Sequence, residues 1–228
     1  MMRRLLLLLL LMLAGAAAAE AQVPLPHERP VPETASEEPV PPRPYQVACP
    51  AVLTGEASAT ALPPIDDGQC RLRSPLSLEA VSANGRSIPL STPVVTDCGM
   101  ATVLPRWVGD VDRYVMAQDA TRIATVLAGT AYACRPVNNA AGGKLSFHAF
   151  GDALDVTGFV LEDGRTITVA PAWSGTDAEG RRLIRFAHDA ACTHFTTVLG
   201  PDANALHHDH LHVDLGCHGA RCVARLCE

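Results

Sequence analysis

Two stretches of the sequence concentrate side chains that could bind a metal ion. The first, Ser146–Asp155, reads SFHAFGDALD and holds one histidine and two carboxylates around a glycine. The second, Leu206–Asp214, reads LHHDHLHVD and places four of the chain's nine histidines within six positions. Imidazole nitrogens and carboxylate oxygens are common zinc ligands in proteins. The two stretches are therefore interpreted as the two halves of one metal site.

The second stretch has the pattern of a strand. Polar and apolar residues alternate from His210 to Leu215, which is typical of a half-buried strand with one open face. His210, His212 and Asp214 would share that open face. Residues two apart along a strand lie about 6.6 Å apart, so both imidazoles can reach one small site.

The first stretch must bend if its side chains are to converge. His148 and Asp155 are seven positions apart. That spacing would separate them by about 10 Å along a helix, and a straight strand would put them on opposite faces. Gly151 lies between them, where a sharp bend favours glycine.

Together, His148, Asp155 and His212 form a two-histidine, one-carboxylate set. With one position left for water, such a set is the catalytic form of a zinc site, in which the metal lowers the pKa of water to about 7 and polarises a carbonyl group. Iron uses the same ligand types, but export and disulfides favour redox-inert zinc.

The start of the chain predicts export to the periplasm or secretion from the cell. Residues 1–21 resemble a signal peptide, with two arginines, an apolar run at Leu5–Leu13 and cleavage after Ala19 or Ala21. That run is too short to span a bilayer, so we expect no membrane anchor after cleavage. Residues 22–46 are rich in proline and predict an extended linker. Residues 47–228 are expected to form the folded domain.

Charge and cysteine content indicate which partners and which cross-links to expect. The 228 residues carry a net charge of −6 without a long basic run, so no nucleic-acid partner is expected. Eight cysteines in an exported chain predict up to four disulfides. Pairing of Cys98 with Cys134 is one expectation, because both flank the central part of the chain.

Local patterns predict an α+β fold. The predicted strands are Leu76–Val81, Ile88–Leu90, Arg122–Leu127, Ala131–Cys134, Leu154–Leu161, Thr166–Val169 and Phe195–Leu199. Thr96 or Asp97 is expected to cap a helix that runs toward Leu104, where Pro105 either breaks it or opens the next helix. Another helix is expected to cover Arg181–Ala191.

The motifs carry a family resemblance. SxHxxGxAxD ending at Asp155, followed by HxH at His210–His212, resembles the zinc D-Ala-D-Ala metallopeptidases of the lysostaphin-type superfamily. Over roughly Cys98–Cys222, the chain also resembles the bacterial extensin-like C-terminal domain family. The residues that carry this second resemblance are Tyr132–Arg135, Gly158-Phe159, Asp163–Arg165, Ala190–Cys192 and Thr197–Asp202. The resemblance implies a disulfide-stabilised, peptidase-like core with a small antiparallel sheet and flanking helices.

The resemblance also implies roles for individual residues. His148, Asp155 and His212 match the zinc ligands, and either His210 or Asp209 would be the general base. Asp209 could serve only if the strand begins after it, so His210 is preferred.

Arg135 would steady a substrate carboxylate or the oxyanion. Ser146 would bind substrate or order its loop. Asp152 or Asp214 would hold the far nitrogen of a ligating histidine.

The implied activity is cleavage of amide bonds in the stem peptides or cross-links of peptidoglycan by metal-activated water, as in D-Ala-D-Ala carboxypeptidases and endopeptidases. Peptidoglycan peptides would then be the partner. Two alternatives stay open: an inactive wall-binding module that retains the metal site, and a secreted structural domain in which the histidine cluster is incidental.

Overall fold

The computed structural model describes residues 48–228, so the expected signal peptide (1–21) and linker (22–46) lie outside the described residues. The helices are α1 (Pro50–Leu53), α2 (Cys98–Asp119), α3 (Val169–Ser174) and α4 (Ala178–His194). The strands are β1 (Ala57–Ala61), β2 (Ile65–Asp67), β3 (Cys70–Leu72), β4 (Leu76–Ala83), β5 (Arg86–Thr96), β6 (Ile123–Ala128), β7 (Ala153–Leu161), β8 (Thr166–Thr168), β9 (Thr197–Leu199), β10 (Leu211–Asp214) and β11 (Leu226–Cys227). Three 3-10 turns cover Val137–Asn139, Phe147–Phe150 and Ala205–His207.

One large mixed sheet organises residues 48–228. Nine strands join it in the order β1-β4-β5-β6-β7-β10-β9-β11, with β8 also paired to β7. The β5–β6 and β9–β11 pairs are parallel, and the other neighbouring strands are antiparallel. Mixed α and β structure is confirmed, but the sheet is large rather than small, and two of its strand pairs are parallel in an otherwise antiparallel arrangement. Strands β1 and β11 were not predicted. β1 consists of small residues and β11 has only two residues, so neither sequence has a clear strand pattern.

Helix α2 runs unbroken through Pro105, against expectation. Its N-cap is Asp97, whose side chain accepts a hydrogen bond from the Met100 N–H at 2.9 Å. A proline inside a helix costs about 3 kcal/mol or more. Burying one large apolar side chain contributes about 1.5–3 kcal/mol, and α2 fully buries several on one face. These are Leu104, Trp107, Val108, Val111 and Val115.

The same face of α2 joins the helices to the sheet. The Trp107 indole N–H donates to the Ala187 carbonyl of α4 at 2.8 Å. Its ring lies 6.0 Å from that of Phe159 on β7 and 5.8 Å from that of Phe195, which follows α4. This aromatic cluster fixes β7, one of the strands that carry the candidate site, against both long helices. Within residues 48–228, no helix is long and apolar enough to cross a bilayer.

Four disulfides cross-link the described chain: Cys49–Cys98, Cys70–Cys134, Cys192–Cys227 and Cys217–Cys222. The expected Cys98–Cys134 bond is wrong, because Cys98 opens α2 beside the α1 segment while Cys134 lies beside β3. Cys192–Cys227 attaches β11 to α4. Four disulfides fit a protein that folds in an oxidising, extracytoplasmic compartment.

Candidate metal site

Three separate elements bring the predicted ligands together. His148 lies in the 3-10 turn Phe147–Phe150, Asp155 on β7 and His212 on β10. All three are buried, and one ligand atom from each lies within 4.8 Å of the other two. The residues that the sequence predicted to converge are therefore neighbours in the fold.

A left-handed glycine provides the predicted bend. The Ser146 hydroxyl accepts from the His148 N–H at 3.4 Å and starts the turn, and Gly151 ends it with φ +72°. A side chain at this position would start 2.8 Å from Leu72 Cδ2 and 3.3 Å from the Asp97 backbone nitrogen. Glycine is favoured here both by the backbone angle and by the close packing.

Strand register sets the other half of the site. β10 pairs antiparallel with β7, and His212 lies directly opposite Asp155. Side chains of directly opposed residues project from the same face of a sheet, about 4.5–5.5 Å apart at Cβ. The register therefore places the imidazole and the carboxylate on the same face of the sheet.

The donor atoms have spacings that suit a small cation. His148 Nε2 lies 3.1 Å from His212 Nδ1, His212 Nδ1 lies 3.0 Å from Asp155 Oδ1, and His148 Nε2 lies 3.3 Å from the same oxygen. Ligands about 2.0–2.1 Å from a tetrahedral zinc ion are separated by about 3.3 Å. The three residues could hold a metal ion, and their atom types fit zinc.

Both imidazoles have their other nitrogen occupied. His148 Nδ1 donates to the Ala131 carbonyl at 2.5 Å, and His212 Nε2 lies 3.2 Å from Asp214 Oδ2. Such partners fix the tautomer and orientation of metal-binding histidines. Asp214 is itself held by the Gly216 N–H at 2.9 Å. The sequence suggested either Asp152 or Asp214 as the partner of a ligating histidine, and it is Asp214 that contacts His212.

Asp152 has different surroundings. Burial, the neighbouring Asp97 carboxylate and then Asp214 raise the pKa of Asp152 to about 7. Asp152 therefore carries a proton under mildly acidic conditions, and its carboxyl group lies against an acidic neighbour rather than a histidine.

The electrostatics of the cluster favour a positive charge between the ligands. Burial would raise the pKa of Asp155, but hydrogen bonds from His148 and His212 hold it well below its usual value. Burial would likewise lower the pKa of His212, whereas hydrogen bonds to Asp155 and Asp214 raise it to about 9. A metal cation that replaced the proton on His212 would be stabilised by the same carboxylates.

The two base candidates form a pair. β10 begins at Leu211, so Asp209 precedes the strand, as its use would require. Asp209 Oδ1 lies 2.9 Å from His210 Nδ1, and His210 Nε2 lies 3.4 Å from Asp155 Oδ1. His210 thus faces the ligand cluster, while Asp209 contacts its far nitrogen.

An open cavity of about 490 Å³ lies over the cluster. Arg135, Ser146 and His210 line it together with the three ligand candidates, whereas Asp209 does not. The Ser146 hydroxyl is buried and contributes to the turn that carries His148. Arg135 lines this cavity, and within residues 48–228 its guanidinium forms no ion pair or hydrogen bond with another side chain.

The cavity also contains residues that were not predicted as site residues. His207 lies with its ring 5.7 Å from that of His212, and burial followed by its histidine neighbours lowers its pKa to about 4. His218 Nε2 lies 2.5 Å from Thr197 Oγ1 and packs on the Phe147 ring. The histidine cluster itself could have indicated His207, but no local spacing indicates His218, which the Cys217–Cys222 loop carries back to the site.

A second group of metal-binding residue types in the described chain cannot serve in the same way. His188, Cys192 and Cys227 lie close together, but the two cysteines are bonded to each other. A disulfide offers no thiolate, the form of cysteine that binds metals.

Comparison with known proteins places the chain in a family. The family model described as extensin-like protein C-terminus matches residues 47–228, which include every residue of the site. A search of curated proteins and a search of solved structures each returned no match. The chain therefore belongs to the extensin-like protein C-terminus family.

Proposed function

We propose that the protein is an exported zinc-dependent peptidase that cleaves amide bonds in the peptide part of peptidoglycan. The observation that carries the proposal is the buried triangle of His148, Asp155 and His212 at the base of an open cavity. The similarity of both motifs to zinc D-Ala-D-Ala metallopeptidases supports the reaction class and the wall-peptide substrate.

Zinc is the proposed cofactor. Two imidazoles and one carboxylate, each imidazole held through its second nitrogen, match the ligand chemistry of catalytic zinc sites. When bound, the ion would supply Lewis-acid chemistry, since it acidifies water and polarises a carbonyl group.

His210 would act as the general base and accept a proton from the attacking water molecule. Its Nδ1 is held by Asp209 at 2.9 Å, which leaves Nε2 directed toward the ligand cluster as a proton acceptor. Asp209 then orients the ring and stabilises the protonated form. General base catalysis of this kind contributes about 10²–10⁴-fold to rate.

Arg135 would stabilise negative charge on the substrate. Its guanidinium lines the cavity, and its fork of donors suits either a carboxylate or the oxygen that becomes negative during attack. Ser146 would act by ordering the turn that holds His148.

The location of the substrate agrees with export to the periplasm or the cell exterior. Four disulfides and the signal-like residues 1–21 support a compartment where peptidoglycan is accessible.

The test is incubation of the purified protein, with and without zinc, with muropeptides of several wall types, followed by mass spectrometry. New fragments should form only with zinc, disappear in His148→Ala and persist in His188→Ala. A folded, zinc-loaded protein that releases no fragment from any wall type would exclude the peptidase function.

A wall-binding module without catalysis is the second proposal. It is favoured by Asp209, which lies against His210 outside the cavity lining. The dipeptidase-like peptidases that the HxH motif resembles place a glutamate, one methylene longer, at this position. Retention of the protein on sacculi, with no cleavage at any zinc concentration, would support this alternative.

A further inference from the structure

Exposed apolar side chains concentrate at the candidate site. Six large apolar side chains are exposed in residues 48–228: Leu53, Met116, Val137, Leu206, Val223 and Leu226. Three of them, Val137, Leu206 and Leu226, line the cavity over the metal-site triangle. Scattered exposed apolar residues need no explanation, but clustering around a concave site indicates contact with a ligand.

The three residues belong to different parts of the chain. Val137 lies in the turn after Arg135, Leu206 in the turn Ala205–His207 and Leu226 at the start of β11. Their backbone N–H groups donate to Lys144 O at 2.8 Å, Asn204 Oδ1 at 3.0 Å and Thr196 O at 2.9 Å, respectively. These hydrogen bonds fix the backbone positions from which the three apolar side chains project.

The turn that presents Val137 is conformationally costly. Asn138 and Asn139 both have φ +55°, and both line the cavity. Asparagine tolerates this region better than most residues, but the conformation still costs free energy. Such strain is common at ligand-binding segments.

Because all three line one cavity, we propose that Val137, Leu206 and Leu226 form a subsite for an aliphatic side chain of a peptide whose polar group binds at the metal site. The inference rests on the proposed function and specifies its substrate. The Arg135 guanidinium, which lines the same cavity as Val137, complements a carboxylate or carbonyl on the same ligand. A volume of about 490 Å³ suits a short peptide segment rather than a folded partner.

Peptide hydroxamates test this subsite without requiring turnover, because the hydroxamate group binds zinc directly. The dissociation constants of N-acetyl-leucine hydroxamate, as each enantiomer, and N-acetyl-glycine hydroxamate are measured calorimetrically on the zinc-loaded protein. At least one leucine enantiomer should bind 10-fold or more tightly than the glycine compound. In Val137→Ser/Leu206→Ser, this ratio should fall to within about twofold, while the glycine compound binds as before.

The matched control is Leu53→Ser/Met116→Ser, which removes two exposed apolar side chains outside the cavity and should keep the full preference. Equal binding of leucine and glycine compounds by the wild type overturns the subsite while leaving the metal site intact. Tighter binding of hexanohydroxamate than of either leucine enantiomer overturns the peptide assignment in favour of an acyl chain. If the protein takes up no zinc, the proposed function fails first and the subsite inference falls with it.

Discussion

Asp155 and His212 are directly opposed residues on neighbouring antiparallel strands, and Asp155 Oδ1 lies 3.0 Å from His212 Nδ1. Strand register alone fixes this contact, so it does not depend on loop conformation. His148 completes the set from a turn whose own hydrogen bonds fix its direction. Strand pairing thus positions Asp155 and His212, and turn hydrogen bonds position His148, before any metal binds. The following predictions rest on this arrangement.

Removing one ligand should strongly weaken zinc binding. The wild type should bind about one zinc ion per chain, and His148→Ala should weaken binding more than 100-fold, because loss of an outer partner alone costs about 10–100-fold. The matched control is His188→Ala, which alters the other group of metal-binding residue types. Elemental analysis after dialysis and competition with a chromophoric chelator measure both. Equal zinc uptake by His148→Ala and the wild type would contradict the assignment.

Asp214 should control zinc affinity without contacting the ion. Asp214→Asn retains the shape of the side chain but removes the charge 3.2 Å from His212 Nε2, so zinc affinity should fall about 10–100-fold. Asp189→Asn is the control, because Asp189 contacts His188 in a similar carboxylate–imidazole pair away from the site. The same loss in both variants would show that the effect is not specific to the metal site.

Sequence patterns predicted the convergence of His148, Asp155 and His212 better than they predicted the fold around these residues. The alternation in β10, the bend at Gly151 and the strand patterns of β7 and β8 are local signals, and each corresponds to an observed element. β7 holds Asp155, β10 holds His212, and the bend at Gly151 follows the turn that holds His148. These residues could be recognised in the sequence because their side-chain types and spacing are distinctive. The general base and substrate roles stay predictions.

Long-range features could not be predicted from local signals. Ala131–Cys134 was expected to be a strand, but its backbone lies outside the sheet and serves the turn at His148: Ala131 O accepts from His148 Nδ1, and the Ala133 N–H donates to His148 O. The disulfide partners of Cys98 and Cys134 likewise depend on the tertiary fold, as does the return of His218 to the cavity.

Asp152 should make stability depend on pH in a defined direction. Its pKa is raised to about 7 in the folded state, from about 3.9 in an unfolded chain, so protonation stabilises the fold. This contribution is complete below about pH 4 and is lost as the pH rises through about 7. Asp152→Asn mimics the protonated acid, so its melting temperature relative to the wild type should increase from pH 5 to pH 8.

Thermal unfolding in a metal chelator measures this difference, with exposed Glu79→Gln as the control that should show no such pH dependence. A constant difference between Asp152→Asn and the wild type across this range would mean that Asp152 is already ionised at pH 5.

Gly151 should be required for both stability and zinc binding. Gly151→Ala places a side chain at φ +72°, which costs about 1–2 kcal/mol, and brings it 2.8 Å from Leu72 Cδ2. Gly164→Ala has a similar backbone penalty at φ +87° but no neighbour within 4 Å. Urea unfolding should show a larger loss for Gly151→Ala, and only this variant should lose zinc affinity. Equal losses of stability would mean that packing around Gly151 is unimportant.

The last prediction separates the roles of His210 and Asp209. If His210 accepts the proton, His210→Ala should lower kcat for a cleaved muropeptide about 10²–10⁴-fold and leave zinc stoichiometry unchanged. Asp209→Asn should lower kcat less, because it removes only the group that holds His210 Nδ1 at 2.9 Å. Exposed His208→Ala is the matched control and should retain wild-type kcat. A larger loss in Asp209→Asn than in His210→Ala would assign the base to Asp209, and this would require the segment before β10 to turn its carboxylate into the cavity when substrate binds.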